Sequence, residues 1–525
     1  MCGVIGVISK ENREDLGALI AFGLYQLQHR GDFSAGIATI KKLPVSRKIY
    51  RHARLIASEQ TVEDFNPLNI EKDEGKVSEV FDQKRLKRLN GFMGIGQVRY
   101  PTAGYTKTAE DEKMSAEEQI LMRKANIQPL YTPFSRVAMA HNGDIHNYHE
   151  LTEYFNDKNL RKSGFNDVEV LLKVFSEEFF TLTDNLDDKE RVEKSVKQVF
   201  ERVKGTYCVV SVINNVGLLA FRDYQGRRPL FYGVKKNDNG DIIDYAFASE
   251  TVALRKMLFK GTRQEKYADN REQYEEVKPG EMVLITKDFE FYKKQVAVPD
   301  FRPCPFEGSY FARASSFINN KRVKLIRRNI MEYMWERFIQ TDAYKRILEH
   351  KDDIIIVPVP RTAESAAKYL ANKTKLLLGD AIEKNAYAPR IFQQPTQEHR
   401  IKQTIADHFV FEEDVNDKIV ILIDDSIVRG TTLTEDIKYL KDVGAREIHI
   451  FITFPAIRHP CMHAVDFHTE QELIAHGKTL QQIKDALRLR AEESLIYATP
   501  EDIKKANGYE NINMCNECYR NGELQ

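Results

Sequence analysis

The chain has 525 residues, which at about 100–200 residues per domain excludes a minimal single-site binding module and leaves room for several buried cores. Its 78 Lys plus Arg balance 78 Asp plus Glu to a formal net charge of +0, removing the bulk attraction that non-specific nucleic-acid binding requires. Hydrophobic residues at 42% and charged residues at 30% exclude a disordered or fibrous chain, and no apolar run approaches the roughly 20 residues that cross a bilayer.

The opening MCGVIGVISKEN lacks the basic start of a secretory signal, so a cytoplasmic protein without a membrane partner is expected. Residues 1–300 carry short β-type runs between Gly, Asn and Asp turns: CGVIGVI, FMGIGQVRY, RVAMAHNG, YCVVSVINNVGLLAFRD, YAFASE and MVLITKDF. Helical patterns interrupt them at 16–28 and 167–178, which predicts an α+β unit with antiparallel sheets. The charged stretches 39–90 and 104–125 read as surface insertions.

From about residue 320 the texture changes. KRVKLIRRNIMEYMWERFIQTDAYKRILE predicts one long helix, and the apolar strands IIIVPV (354–359), KIVILID (418–424) and IHIFITF (448–454) alternate with helices at 364–371 and 433–444. Continuous apolar strands alternating with helices predict a parallel sheet covered on both faces. The expected division is 1–300, 301–470 and a helical tail at 471–525.

Six cysteines, at 2, 208, 304, 461, 515 and 518, are too few for a disulfide scaffold. Cys2 follows the initiator Met, and removal of Met would leave one residue carrying both a thiol and an α-amine able to activate it. Cys208, in the run YCVVSV, reads as a small core hydrophobe. CNEC at 515–518 reads equally as a redox pair, half of a zinc site or chance.

KIVILIDDSIVRGTTL, 418–433, is the most specific signal: an apolar strand, two adjacent acids, then a Ser/Gly/Thr loop opening a helix. Backbone N–H groups of such a loop cradle a phosphate without a lysine. It matches neither a Walker A loop nor a dinucleotide fingerprint.

MCGVIGV (1–7), QLQHRGDFSAGIA (26–38), GQVRYPTAG (96–104), AHNGDIHN (140–147), NDVEVLL (166–172) and FRDYQGRRPLFYG (221–233) resemble the class II, N-terminal-nucleophile glutamine amidotransferases. Within these the resemblance is to the glutamine phosphoribosylpyrophosphate amidotransferases, and 418–433 is similar to the signature of type I phosphoribosyltransferases in the form that family carries. The resemblance implies a four-layer αββα N-terminal-nucleophile hydrolase domain followed by an α/β phosphoribosyltransferase domain. It implies Cys2 as nucleophile, Asn142 and Gly143 as oxyanion hole, Arg99 on the glutamine carboxylate and Asp167 on its ammonium. These types suit the chemistry: an arginine fork grips a carboxylate bidentately, and an amide beside a glycine N–H points two dipoles at an oxyanion. Read alone, Arg99 equally fits a surface ion pair, Asn142-Gly143 a turn, and Asp167 a helix first-turn acid.

In the second half the resemblance implies Asp424 and Asp425 on the ribose hydroxyls, with Ser426, Gly430, Thr431 and Thr432 around the 5-phosphate, and Lys384, in the segment leading into the mobile loop, as a further phosphoribosyl diphosphate-binding residue. Mg2+ would offset charge on the leaving diphosphate. Ammonia would displace that diphosphate from C1 to give phosphoribosylamine, the entry step of purine synthesis. Cys304 in PCPFEGSYFAR, Cys461 in PAIRHPCMHAVDF, and Cys515 and Cys518 fall where cluster-bearing relatives have cysteines, implying a [4Fe–4S] cluster; zinc suits the same four thiolates. A homotetramer inhibited by purine nucleotides is also implied.

The sequence departs from that family at Asp32, Phe33, Gln97, Arg361, Ala363, Ala386 and the 401–409 segment IKQTIADHF, where Arg361, His399, Arg400 or Lys402 would have to replace lost cations. A divergent paralogue, feeding ammonia to another acceptor or sensing a sugar phosphate, therefore stands as the alternative reading.

Overall fold

In the computed structural model the described residues are 2–42, 68–100, 115–132, 137–157, 166–181, 186–259, 274–360, 362–384, 408–463, 465, 467 and 469–520. They form two compact units, Met1–Pro303 with Met462–Asp466, and Cys304–Cys461 with Phe467–Gln525.

The first unit holds two antiparallel sheets. One orders its strands Tyr274–Glu276, Phe231–Lys236, Ile242–Ala248, Gly3–Arg13, Gly91–Arg99, Ser34–Ile40, Leu68–Glu74. The other orders them Phe291–Gln295, Glu281–Thr286, Gly217–Arg222, Gly205–Ile213, Val137–Ile145, Leu130–Thr132. Alternation along each strand sorts the side chains into layers. Val4 and Ile8 meet Ala138, Ala140, Cys208, Val210 and Val212 between the sheets. Ile5 and Val7 face Leu16, Ile20 and Leu24 of the helix Leu16–Gln26, with Ala253 and Leu254 of Thr251–Leu258. On the other outer face Met139, Val209 and Leu219 pack on Leu171 and Phe175 of Asp167–Thr181 and on Val192 and Val196 of Asp188–Arg202. The result is the expected four-layer αββα sandwich, and it explains why these strands read as unbroken apolar runs: both faces are covered.

The helix Asp188–Arg202 escaped the sequence reading, although Asp187 and Glu190 form a capping box and Val192, Val196 and Val199 recur at helical spacing. Within the stretches expected to be insertions, Leu68–Glu74 is the edge strand beside Ser34–Ile40, and Ala116–Ala125 is a helix capped by Ser115 and Glu118. Cys208 is fully buried between the sheets.

The second unit is built on a five-stranded sheet ordered Leu377–Leu378, Ile354–Pro358, Ile419–Asp424, Glu447–Ile452, Ser494–Tyr497, with every neighbouring pair parallel. Residues 471–525, read as a helical tail, therefore supply a strand of this sheet as well as the helices Leu480–Ala486 and Pro500–Asn507. The long helix expected after residue 320 is two, Val323–Phe338 and Asp342–Leu348. Thr341 breaks it, because its side chain accepts from the Tyr344 N–H and starts a new helix. Among the described residues no helix is long and apolar enough to cross a membrane.

Candidate functional site

Cys2 is buried at the entry to Gly3–Arg13, a strand fixed on one side by Ile242–Ala248 and on the other by Gly91–Arg99. Its backbone nitrogen, the α-amine once Met1 is removed, donates to Asn142 Oδ1 at 3.2 Å. Asn142 is 0% exposed, and among the described residues its Nδ2 has no hydrogen-bond partner. An unpaired buried donor is costly, about 1–3 kcal/mol, so one beside a thiol marks a place prepared for an acceptor. Gly143 follows on the same strand, paired with Tyr207, where a Cβ would stand 1.8 Å from the Thr206 carbonyl oxygen. Only glycine lets the strands approach so closely. The motif FRDYQG supports this pairing: Asp223 accepts from the Tyr207 N–H at 3.1 Å and from the Gln225 and Gly226 N–H groups at 2.9 Å each.

Asp167 opens the helix Asp167–Thr181, and its Oδ2 lies 3.1 Å from His141 Nε2. Gln97 Nε2 donates to Gln128 Oε1 at 2.9 Å, which fixes the Gln128 amide so that its Nε2 donates to His141 Nδ1 at 3.0 Å. His141 thus meets the Gln128 amide through Nδ1 and the Asp167 carboxylate through Nε2. Arg99 is buried, and its Nη1 donates at 2.9 Å to the Asn126 carbonyl, which also accepts from Asn166 Nδ2 at 2.5 Å. Burial alone would raise the Asp167 carboxyl; the contact with His141, the Arg99 charge and the Val168 N–H outweigh it and hold the group below its ordinary value. Cys2, Asn142, Gly143, Asp167 and Arg99 are thus gathered around one strand, Val137–Ile145.

In the second unit Asp424 ends the central strand Ile419–Asp424, and the loop 425–430 leads into the helix Thr431–Asp442, so Asp424, Asp425, Ser426, Gly430, Thr431 and Thr432 lie together at the carboxyl edge of a parallel sheet. That edge is where open α/β sheets bind ligands. Gly430 caps the helix at φ 79°, a left-handed conformation that favours glycine, and a Cβ there would stand 2.5 Å from Ile474 Cδ1. Asp425 accepts from the Thr362 hydroxyl and from Ser426 Oγ, the latter at 2.8 Å, while its N–H donates to Asp424 Oδ1 at 2.7 Å. Burial, then the neighbouring Asp425 charge, pushes Asp424 well above the carboxylate range; burial raises Asp425 against the opposing Thr362 and Ser426 hydroxyls. Two adjacent acids so placed favour hydroxyl donors or a cation.

Lys384 lies on a separate ribbon in which Ile382–Lys384 pairs with His408–Val410, Lys384 opposite His408. Buried His408 bonds through Nδ1 to Asp436 Oδ1 at 2.7 Å, fastening the ribbon to the helix that follows the acidic pair. Arg361 and residues 385–407, which include Ala386, Arg390, His399, Arg400 and Lys402, lie outside the described residues.

Cys304, Cys461, Cys515 and Cys518 belong to this unit, and none of the four is joined in a disulfide among the described residues. Burial, then the charges of Cys461, Cys304 and Cys515, pushes the Cys518 thiol well above its ordinary value. Backbone bonds anchor two of the four: Arg458 and His459 N–H groups donate to the Cys518 carbonyl at 2.8 and 3.1 Å, and Cys461 N–H to the Phe467 carbonyl at 3.0 Å. Phe306, next in chain but one to Cys304, packs on Phe454 with ring centroids 4.2 Å apart, and Tyr519 follows at 5.7 Å from Phe454.

Residues 116–256 match the glutamine amidotransferase domain family, and residues 322–463 match the phosphoribosyl transferase domain family. An amidophosphoribosyltransferase from Pseudomonas aeruginosa is 32% identical over 512 residues, covering 97% of this chain and 89% of its own. The chain belongs to the amidophosphoribosyltransferase family. The amidophosphoribosyltransferase of Escherichia coli is 31% identical over 517 residues, spanning 97% of this chain and 89% of the relative. Among solved structures, the glutamine phosphoribosylpyrophosphate amidotransferase of B. subtilis complexed with ADP and GMP superposes with a TM-score of 0.74 at 26% identity, covering 100% of this chain and 98% of that one. A structure described as the allosteric regulatory enzyme of purine biosynthesis gives 0.75, at 26% identity and with 100% and 97% covered.

Sequence reading of this amidophosphoribosyltransferase-family chain missed His141, Gln128, Asn126 and Asn166, the polar groups behind Asp167 and Arg99. His141 stood inside the quoted AHNG motif, and its alternation with Asn142 was the available signal; Gln128 and Asn126 had none, since only folding brings them there. Gln97, where the family usually has histidine, keeps a place in the same network through Gln128 and the His141 carbonyl, the latter at 2.6 Å.

Proposed function

We propose that the chain is a glutamine-dependent amidophosphoribosyltransferase, converting phosphoribosyl diphosphate, glutamine and water to 5-phosphoribosylamine, glutamate and diphosphate. The single observation that carries the glutaminase half is the buried, unpaired Asn142 Nδ2 beside Cys2. Arg99 receives the glutamine carboxylate and Asp167, kept ionised, its ammonium. The Cys2 thiolate attacks the side-chain amide carbon while Asn142 Nδ2 and the Gly143 N–H hold the oxyanion. The carbon–nitrogen bond breaks, ammonia leaves, and water cleaves the thioester to restore Cys2 and release glutamate. In the second unit the loop from Ser426 to Thr432 holds the 5-phosphate, Asp424 and Asp425 the ribose hydroxyls, and Lys384 the diphosphate. Ammonia forms the bond to C1 as the bond to diphosphate breaks, and the amine sheds a proton.

Asp424 and Asp425, with carboxyls raised by burial, fit a cation travelling with the substrate, and Mg2+ would neutralise charge on the departing diphosphate. Cys304, Cys461, Cys515 and Cys518, the first three of which act on the Cys518 thiol or flank it in sequence, would hold a [4Fe–4S] cluster through their four thiolates. Such a cluster would cross-link three stretches of chain and make the fold sensitive to oxygen. The ADP and GMP of the B. subtilis complex support purine nucleotides as inhibitors here, and a homotetrameric, cytoplasmic enzyme completes the reading. Similarity to amidophosphoribosyltransferases across 97% of the chain favours this over a divergent paralogue.

The test is to incubate the anaerobically purified protein with glutamine, phosphoribosyl diphosphate and Mg2+ while following glutamate and diphosphate together. Equal release of both is expected; glutamate without diphosphate would sink the reading. Cys2→Ala should lose glutamine use and retain turnover with free ammonia.

A further inference from the structure

His459, Glu470 and His476 each turn one ligand atom into a common space, with those atoms all within 4.8 Å of one another. The two rings meet edge to face, centroids 6.2 Å apart and planes at 84°, and His476 Nε2 stands 3.4 Å from Glu470 Oε2. The His476 ring is held from behind, with Nδ1 2.8 Å from the Arg458 carbonyl oxygen. A carbonyl oxygen only accepts, so Nδ1 is a donor here, and Nε2 is the ring nitrogen turned toward Glu470. An imidazole nitrogen aimed through a carbonyl on its other nitrogen is the arrangement that orients metal-bound histidines.

We propose that His459, Glu470 and His476 form a binding site for a zinc-class divalent cation, separate from the four cysteines and from the acidic pair. Two imidazoles and one carboxylate suit borderline-soft Zn2+, whereas Ca2+ and Mg2+ take sets made of oxygens. The histidines are half-buried and Glu470 is exposed, which leaves the fourth position to water.

The ion would join two anchored pieces of the second unit. His459 lies where its own N–H and that of Arg458 bond to the Cys518 carbonyl. At the other end, Ile474 N–H donates to the Val428 carbonyl at 2.9 Å, and Glu472 pairs with Arg429. Val428, Arg429 and Gly430 belong to the loop that follows the acidic pair, and Ile474 is the side chain against which Gly430 is packed. A cation at this point closes the loop from 459 to 476 and ties the cysteine-bearing turn to the 426–432 loop. Its role is to hold that loop in place. The inference does not depend on the activity proposed above, and its test reads bound metal rather than turnover.

The full-length protein, purified anaerobically with its cysteine site as isolated, is loaded with Zn2+ and desalted. It is then titrated against a chromophoric chelator, and zinc and iron per chain are counted by mass spectrometry. Glu470→Gln and His476→Asn are treated alike, with Cys515→Ser as comparator. Removing a supporting contact of a metal ligand costs about 10–100-fold in affinity, so loss of a ligand should weaken zinc binding by more than about 100-fold. The expected result is one zinc per chain in the parent and in Cys515→Ser, absent from both site variants, whose iron content matches the parent. Equal zinc in the parent and both site variants would overturn the proposal, as would zinc lost only from Cys515→Ser. Glu470 is an exposed side chain, so Glu470→Gln keeps the test decisive even if His476→Asn fails to fold.

Discussion

Asn142 uses its two amide atoms differently: Oδ1 accepts from the Cys2 nitrogen, and Nδ2 is left unpaired in a fully buried position. Asn142→Asp keeps an acceptor for Cys2 and removes the donor. Loss of one oxyanion donor costs about 10²–10³ in kcat, so glutamine-dependent turnover should fall by that factor while ammonia-dependent turnover, measured on the same preparation, stays intact. Asp167 supplies the pH argument at this scale. Burial would raise it, yet His141, Arg99 and the Val168 N–H hold it low. A depressed carboxyl contributes stability that is complete above its unfolded value, about 3.9, and is lost as pH falls through the lower folded value. The carboxylate therefore stays ionised at mildly acid pH. His141→Gln removes the largest favourable contact and lets burial dominate, so KM for glutamine should climb as pH is lowered through the mildly acid range while that of the parent stays flat. A pH series of KM checks this, and parallel profiles would remove His141 as the group that positions Asp167.

Among the elements, the strands were legible from residues alone, whereas the two layers that cover them, Val4 facing one and Ile5 the other, were expected only from the resemblance. What could not be read was where a cap outcompetes continued helix, as Thr341 does by binding the Tyr344 N–H, because apolar periodicity runs on through both helices. His408 makes the same point for the site. In sequence it belonged to a segment, IKQTIADHF, noted for missing cations; in the fold it is a buried partner of Asp436. That contact, formed by residues 28 apart, fastens the Lys384 ribbon to the helix Thr431–Asp442. Leaving a buried hydrogen-bonding group without its partner costs about 1–3 kcal/mol. Asp436→Ala should therefore lower the stability of the second unit by that order in urea denaturation, and should raise KM for phosphoribosyl diphosphate while leaving KM for glutamine unchanged. A change confined to glutamine would show that the ribbon is not held by this pair.

For the molecule as a whole, the acidic pair and its loop were readable because strand, acids, glycine and helix start are contiguous between 418 and 433. The support behind Arg99 and Asp167 was not, since Asn126 and Gln128 reach it only when sheets stack. The cysteines lie between these cases: CNEC alone was ambiguous, and resemblance rather than spacing joined it to Cys304 and Cys461. In the fold the Cys518 thiol is raised by burial and by the other three sulfurs. Four thiolates gathered in one place would repel one another unless a metal compensated them, so binding of the proposed cluster would also be folding free energy. Three of the four cysteines sit on different ties: Cys461 on the Phe467 carbonyl, Cys518 on the N–H groups of Arg458 and His459, Cys304 ahead of the Phe306–Phe454 contact. Cys518→Ser should lose iron, sulfide and the visible absorption together, and the second unit should melt at a lower temperature than in the parent. The first unit should keep its glutaminase activity, measured as glutamate release. Iron and sulfide retained in full by Cys518→Ser would show that the four sulfurs do not share a cluster.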